Sequence, residues 1–215
     1  MPEFSDGADA TKRDLRVALL AHRRSLPAPR RAEAAASVQA ELVALVRRLR
    51  PARMTAYVPV ASEPGGDDLP AVLRAALPPA AELLLPVLLD DLDLDWAAYT
   101  DPESLRAAGR GLREPTGPPL GSAAVAGADL VVVPALAVDR RGFRLGRGGG
   151  SYDRALARVP ATVPTVALLH DGELVEAVPA QPHDRPVRFV ITPGGGLVAV
   201  PDVARGASAG RTRVP

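Results

Sequence analysis

One stretch of the sequence concentrates the residue types that could bind an anion: residues 139–154, which read DRRGFRLGRGGGSYDR. Its clustered glycines are Gly146, Gly148, Gly149 and Gly150. Glycine allows the backbone to approach a ligand closely and to turn successive amide groups toward it. A helix is predicted to begin directly after these glycines, and the start of a helix carries partial positive charge. The stretch therefore predicts an anion cradle.

Charged side chains in the same stretch favour phosphate as the anion. Arg144, Arg147 and Arg154 carry guanidinium forks that suit phosphate oxygens, and Asp153 could hold a metal ion that bridges those oxygens. The stretch is not a Walker loop, because no Gly-Lys-Ser/Thr follows, and its glycine spacing differs from the dinucleotide fingerprint. On spacing alone, a flexible glycine loop with solvated arginines stays open as the alternative.

Two further segments carry candidate functional residues. Lys12 and Arg16 are four residues apart, which places both on one face of a predicted helix, and Lys12 is the only lysine of the chain. A compact ammonium group at this position would suit a specific anion contact, whereas a solvated basic face is the alternative. Glu63 lies in a loop after a predicted strand, where it is either a ligand-binding carboxylate or a simple turn residue.

The elements that must position these residues alternate along the chain. Apolar spacing and proline positions predict helices over residues 12–26, 29–49, 69–77 and 151–158. Apolar runs predict strands over residues 54–60, 83–89, 92–99, 130–134 with a loose continuation to 138, 163–169 and 187–192. Many glycines and prolines predict a long loop over residues 109–121. The fold class is therefore α/β, a single-domain three-layer α/β/α architecture with a mostly parallel sheet that binds ligands beyond its carboxyl edge.

Composition excludes several classes of protein. The 215 residues carry 26 Lys+Arg against 25 Asp+Glu, and aromatic residues make up 3%, so nucleic acid is not an expected partner. The sequence contains no run of about 18 apolar residues, which is the length needed to span a membrane. The chain has no cysteine and its first residues lack a secretory signal, so we expect a cytoplasmic protein.

Taken together, these segments resemble the 5-formyltetrahydrofolate cyclo-ligase family, also called methenyltetrahydrofolate synthetases. The resemblance covers residues 12–192, and its pieces follow the order found in the family. They are Lys12 to Arg16, the loop residue Glu63, Leu85-Pro86, Gly111 to Pro115, and the signature from Arg144 to Asp153. We expect residues 12–192 to form the cyclo-ligase domain, residues 1–11 to be a mobile segment and residues 193–215 to be a flexible Gly-rich tail.

The resemblance implies a set of site residues. It implies that ATP is bound by Lys12, Arg13, Asp14, Leu15, Arg16, Arg144, Leu145, Gly146, Arg147, Gly148, Gly149, Gly150, Ser151 and Tyr152. It implies that the folate is bound by Arg16, Val58, Glu63, Arg147, Gly148, Gly149, Gly150 and Ser151. Lys12 and Arg147 are implied as the catalytic donors, and Asp153 as the ligand of a magnesium ion.

Three positions depart from the family pattern. Ser151 stands where many members have the first tyrosine of Tyr-Tyr-Asp, and Gly149 occupies a place that is lysine in some members. Arg188 stands where several relatives have a second acidic metal ligand, and Asp184 is the nearest acidic residue by sequence.

The family reaction implies the function that we expect. It converts 5-formyltetrahydrofolate and ATP to 5,10-methenyltetrahydrofolate, ADP and phosphate, through a phosphorylated formyl group (an imidate phosphate). We expect a monomer with small-molecule partners only and no membrane association. Two alternatives use the same pattern: sugar-phosphate or coenzyme A chemistry without ATP consumption, and a folate-binding protein that has lost turnover.

Overall fold

The computed structural model describes residues 5–200 of the chain, with side chains from residue 11 onward. Residues 1–4 and 201–215, which belong to the two ends predicted to be mobile, lie outside the described residues. In the part described, no helix combines the length and apolar character needed to cross a membrane.

Four α-helices frame the fold within residues 5–200. They are α1 (Ser5–Ser25), α2 (Ala28–Leu49), α3 (Leu69–Ala76) and α4 (Ser151–Ala157). Proline ends the first two where the sequence predicts, since Pro27 follows α1 and Pro51 follows α2. At the end of α2, Arg50 adopts a left-handed conformation and its N–H donates to the carbonyl of Val46 at 2.8 Å. Helix α1 begins at Ser5 rather than at Lys12, so it extends into the segment that the sequence leaves outside the domain.

A seven-stranded sheet forms the centre of the protein. The strands of the described residues are β1 (Arg53–Thr55), β2 (Glu82–Leu88), β3 (Leu94–Ala98), β4 (Leu105–Ala107), β5 (Arg113–Pro115), β6 (Leu130–Pro134), β7 (Ala137–Asp139), β8 (Arg144–Leu145), β9 (Thr165–Leu168), β10 (Leu174–Val175), β11 (Phe189–Thr192) and β12 (Gly196–Ala199). The central sheet has the order β12-β11-β9-β6-β1-β2-β3. All neighbours are parallel except the two edge strands, β12 and β3. The predicted mostly parallel sheet is confirmed.

Alternation along the strands divides the core into two layers. Leu130 and Val132 of β6 pack with α2 and α3 on one face, whereas Val131 and Val133 pack with α4 on the other face. This alternation is the ordinary consequence of the two-residue period of a strand. Because both faces are covered by helices, the sheet is buried and the predicted α/β/α layering is confirmed.

Two small sheets lie outside the central one. Strands β7, β8 and β10 form a three-stranded sheet, and β4 pairs with β5 as an antiparallel hairpin. The predicted long loop over residues 109–121 is therefore wrong in part, because Arg113–Pro115 is a strand. Strands of two or three residues have too few side chains to show a period, and their pairing is decided by distant neighbours. Strand β12 likewise lies inside the predicted Gly-rich tail.

Candidate active site

A cavity of about 740 Å³ opens beyond the carboxyl ends of β1, β2 and β6. Tyr57 and Val58 line it after β1, Pro134 and Ala135 line it at the end of β6, and Leu88 ends β2 in its wall. This is the edge where ligands bind in parallel α/β sheets. Its volume lies within the usual range of small-molecule sites.

The glycine loop, residues 146–150, forms one wall of the cavity between β8 and α4. The Arg16 Nε atom donates to the carbonyl of Gly146 at 2.9 Å, so α1 holds the start of the loop. Gly148 has φ +104, and a Cβ atom there would stand 3.6 Å from the Arg16 guanidinium carbon. Glycine is required at this position because the backbone conformation disfavours any side chain. All five loop residues face the cavity, as the predicted anion cradle requires.

Arg154 does not serve as a phosphate fork. Its Nη2 atom donates to the carbonyl of Leu92, in the turn between β2 and β3, and to the carbonyl of Gly149 at 3.3 Å. It is not among the residues that line the cavity. The structure therefore does not support the predicted phosphate contact of Arg154. Arg154 is the fourth residue of α4, and its side chain binds backbone carbonyls of the glycine loop and of the β2–β3 turn.

Lys12 enters the cavity from α1 and pairs with Asp184. The Lys12 Nζ atom lies 2.9 Å from the Asp184 Oδ2 atom, and Lys12 is 6% exposed. Burial alone would raise the pKa of Asp184, but hydrogen bonds from Lys12 and from the Gln181 backbone hold that pKa below its ordinary value. The ammonium group is therefore fixed at one point of the cavity wall by a charged partner.

Arg144 and Asp153 form a second ion pair in the wall. The Arg144 Nη1 atom lies 2.9 Å from the Asp153 Oδ1 atom and also donates to the carbonyl of Arg185 at 3.0 Å. The backbone N–H of Arg185 donates to the same carboxylate oxygen at 3.0 Å. The Nε atom of Arg144 is buried without a hydrogen-bond partner among the described residues.

A magnesium ion could be held here by Asp153 through a single carboxylate. Within residues 5–200 no cluster of three or more His, Cys, Asp or Glu side chains could form a metal cage. Magnesium commonly takes one or two carboxylates, with waters and substrate phosphates completing its shell. The donor set therefore fits magnesium only together with a bound phosphate. Arg188, at the position of the acidic ligand in relatives, donates instead to the Ala161 and Thr162 carbonyls away from the cavity.

Arg147 and Glu63 meet across the cavity. The Arg147 Nε atom lies 3.0 Å from the Glu63 Oε1 atom, although the two residues are 84 positions apart. The other carboxylate oxygen of Glu63 accepts the backbone N–H of Val60 at 3.0 Å. The Arg147 side chain is 52% exposed, whereas that of Glu63 is 10% exposed. The loop residue and the glycine loop therefore belong to one site.

Tyr152 follows Ser151 in the first turn of α4, and both line the cavity. Burial raises the pKa of Tyr152 well above its ordinary value, and the nearby Glu63 carboxylate raises it further. The phenol is therefore a neutral group at physiological pH. Leu145, in β8, completes this side of the wall.

The first predicted segment is too broad as a cavity wall. Lys12, Arg13 and Arg16 line the cavity, but Asp14 and Leu15 do not. Asp14 is exposed and Leu15 packs against a small apolar cluster around Leu136. One turn of an α-helix contains 3.6 residues, so five consecutive residues cannot all face the same site.

Several cavity residues were not predicted. They are Arg23, Tyr57, Arg110, Arg113, Glu114, Gln181 and His183, with several apolar neighbours. Asp184, which the sequence singles out as the acidic residue nearest to Arg188, lines the cavity and pairs with Lys12. Arg113 lies in the Gly111 to Pro115 region and Arg110 directly precedes it. The resemblance of this region to the family is visible in the sequence and could have signalled a functional role. Arg23 is 1% exposed and looks like any other helix arginine in the sequence.

The assembled site suits a large anionic ligand beside a polar ring. Cationic side chains and the glycine loop line one side of the cavity, and the Glu63 carboxylate accepts hydrogen bonds on the other. A sequence model of the 5-formyltetrahydrofolate cyclo-ligase family matches residues 8–193. The chain belongs to this family. The resemblance seen in the signature motifs is confirmed.

Individual relatives agree with this assignment to the 5-formyltetrahydrofolate cyclo-ligases. The chain is 44% identical over 195 residues to the 5-formyltetrahydrofolate cyclo-ligase of Mycolicibacterium smegmatis, covering 88% of this chain and 97% of that protein. It is 43% identical over 67 residues to the Escherichia coli cyclo-ligase, covering 30% of this chain and 36% of that protein. The predicted enzyme class, a cyclo-ligase, is confirmed.

Solved structures share the fold of this cyclo-ligase. The NMR structure of the 5,10-methenyltetrahydrofolate synthetase of Aquifex aeolicus aligns with a TM-score of 0.74 at 25% identity, covering 95% of this chain and 96% of that chain. The synthetase of Mycoplasma pneumoniae aligns with a TM-score of 0.65 at 17% identity, covering 83% and 96%. The second comparison shows the common fold alone.

Proposed function

We propose that this cyclo-ligase uses ATP to convert 5-formyltetrahydrofolate to 5,10-methenyltetrahydrofolate, with release of ADP and phosphate. The observation that carries the proposal is the meeting of two segments in one cavity: the glycine loop with Lys12 and Arg144 on one side, and Glu63 on the other. The first group suits a polyphosphate, and the carboxylate suits the hydrogen-bond donors of a pterin ring.

The chemistry requires an activated oxygen, because the oxygen of an amide is a very poor leaving group. The formyl oxygen attacks the γ-phosphorus of ATP, the bond from that phosphorus to ADP breaks, and an imidate phosphate forms. The N10 nitrogen of the folate then attacks the activated carbon and loses its proton. Cleavage of the carbon–oxygen bond releases phosphate with the former formyl oxygen, which leaves the cationic methenyl bridge.

The protein contributes mainly positioning and charge stabilisation in such a phosphoryl transfer. We assign the γ-phosphoryl oxygens to Lys12, Arg147 and the loop amides of residues 148–150. Each well-placed donor contributes about 3 kcal/mol to lowering the barrier. The ion pair to Asp184 at 2.9 Å supports this role, because it holds the flexible Lys12 side chain in the cavity before the nucleotide binds.

Asp153 would hold magnesium in this proposal. The ion, when bound, would neutralise charge on the phosphate oxygens. The carboxylate already accepts two hydrogen bonds on Oδ1, from Arg144 and from the Arg185 N–H. These contacts fix the orientation of the carboxylate and keep Arg144 beside it in the cavity wall.

The folate would lie on the side of Glu63. We assign to this carboxylate the donor edge of the pterin, and to Val58 an apolar contact in the wall. Arg16 keeps its implied folate contact in this proposal, because it lines the cavity, and its Nε atom also holds the loop through the Gly146 carbonyl. The remaining implied contacts are Arg147, Gly148, Gly149, Gly150 and Ser151.

The deciding experiment mixes purified protein with 5-formyltetrahydrofolate, magnesium and ATP, and follows the near-ultraviolet absorbance of the methenyl product. The proposal expects growth of this band with ATP and no growth without it. Growth without ATP would contradict the phosphorylation step. A flat trace with calorimetric binding of the folate would favour a folate-binding protein without turnover.

A further inference from the structure

The loop that carries Glu63 is held from both sides by buried aromatic rings. The hydroxyl of Tyr57 donates to the carbonyl of Pro64 at 3.0 Å, and the Nε2 atom of His170 lies 3.0 Å from the carbonyl of Ser62. A carbonyl oxygen only accepts, so the His170 Nε2 atom carries the proton in this contact. The residues directly before and after Glu63 are thus each fixed by one ring.

Both rings are buried and can hold these contacts steadily. Tyr57 is 3% exposed and His170 is 4% exposed. Burial, together with the negative charge of Glu63, raises the pKa of the Tyr57 hydroxyl, so it stays a donor across the physiological range. Neither ring has a role in the phosphoryl transfer proposed above.

The backbone of His170 is bonded to a buried ion pair. The backbone N–H of His170 donates to the Glu173 Oε2 atom at 2.8 Å. The Glu173 carboxylate also accepts hydrogen bonds from the Nε and Nη2 atoms of Arg23, at 2.7 Å each. Arg23 Nη2 also donates to the carbonyl of Ala135 at 2.6 Å, just beyond β6. The support therefore runs from α1 and the end of β6 to the Glu63 loop.

The loop backbone needs such support. Ala61 has φ 56, a left-handed conformation that is unfavourable for a residue with a side chain. Conformations of this kind persist where the surrounding contacts determine them, and they are common at functional sites. The hydrogen bonds of the two rings to the carbonyls of Ser62 and Pro64 supply such contacts within three residues of Ala61.

We infer that Tyr57 and His170 are positioning residues that hold the Glu63 carboxylate in the orientation that binds the folate. The inference rests on the proposed role of Glu63. It predicts that loss of either ring contact weakens binding of the folate more than that of the nucleotide, because the glycine loop keeps its contacts with Arg16 and Arg154 even when the Arg147–Glu63 pair shifts.

The experiment measures the Kd of 5-formyltetrahydrofolate and of ATP by calorimetry, and the KM of each in the cyclisation assay. Tyr57→Phe removes only the hydroxyl, and His170→Asn ends one atom short of the Nε2 position. Each should weaken folate binding about fivefold, the effect of one hydrogen bond, with ATP affinity within about twofold of wild type. His170→Gln places an amide nitrogen near the Nε2 position and should restore most of the loss.

Tyr99→Phe is the matched control, because Tyr99 is also 3% exposed but lies outside the cavity wall. It should leave both affinities unchanged. Thermal unfolding of each variant separates misfolding from loss of positioning. Unchanged folate affinity in folded Tyr57→Phe and His170→Asn, with Glu63→Gln still weakening it, would overturn the inference and leave the proposed function intact. Failure of the wild-type protein to bind the folate would overturn both.

Discussion

Removal of one partner of the buried ion pair between Arg23 and Glu173 is expected to cost much of the stability of the protein, because the other charge is left buried and unpaired. The Arg23 and Glu173 side chains are each 1% exposed and are joined by two hydrogen bonds of 2.7 Å. Glu173→Gln keeps the shape of the side chain but leaves the guanidinium buried opposite a neutral amide. Breaking a pair shielded from water in this way costs about 3–5 kcal/mol. This is a large part of the about 5–15 kcal/mol that stabilises a typical domain.

Urea unfolding provides the assay, because the single tryptophan, Trp96, is fully buried and reports on unfolding by its fluorescence. Glu33→Gln is the control, since the Arg30–Glu33 pair is 75% and 67% exposed and should change the free energy of unfolding by about 0.5 kcal/mol or less. Replacing both partners, Arg23→Met with Glu173→Leu, should recover much of the loss. A cost for Glu173→Gln no larger than that for Glu33→Gln would refute the argument that burial sets the magnitude.

Three further outcomes follow from the site and its surroundings. Asp153→Asn keeps an acceptor for Arg144 but removes the charge, so turnover should fall at least about tenfold. Because Arg144 is buried, the free energy of unfolding should also fall, but by less than in Glu173→Gln, since Asp153 is more exposed than Glu173. Unaltered turnover across a magnesium titration would count against the metal role. Arg147→Ala should lower kcat more than it weakens folate binding in paired kinetic and calorimetric measurements, and an unchanged kcat would move the phosphate role to Lys12. A hydrogen bond from Arg158 holds the pKa of Asp93 below its ordinary value, so its contribution to stability is present above about pH 4 and is lost as the pH falls through the folded-state pKa. Asp93→Asn should therefore flatten the decline of the unfolding free energy in acid, and an equally steep decline in that variant would show that other groups cause it.

Long elements with a clear apolar period could be predicted from the sequence. Helix α2 and strand β6 match their predicted bounds closely, because each buries a stripe of residues that local spacing reveals. The β4–β5 hairpin could not be predicted in this way. Its strands have three residues each and lie among glycines and prolines, and what fixes them is pairing with each other beside β2.

For the site as well, features visible in the local sequence could be predicted, whereas features fixed by distant contacts could not. The glycine loop could be found because its residue types favour an anion. Glu63 could be singled out only through the resemblance to the family, because its residue type alone also fits a turn. The structure brings the two together through Arg147. Asp184 and Arg23 could not be assigned, because their roles depend on contacts across 172 and 150 positions. Arg154 was misassigned for a related reason: its residue type suits phosphate, but the nearest acceptors are carbonyls of its own loop and of the β2–β3 turn.

The contacts of α1 have a consequence for how the enzyme matures during synthesis. Helix α1 is synthesised before Asp184 and Glu173, the partners of its residues Lys12 and Arg23, which come 172 and 150 positions later in the chain. A nascent chain that ends before these partners would hold unpaired cations where the folded core requires charge neutrality. The amino-terminal helix is therefore expected to dock late, after the parallel strands have assembled, and its docking closes the active site. The catalytic cavity can therefore be completed only after Asp184 has been synthesised.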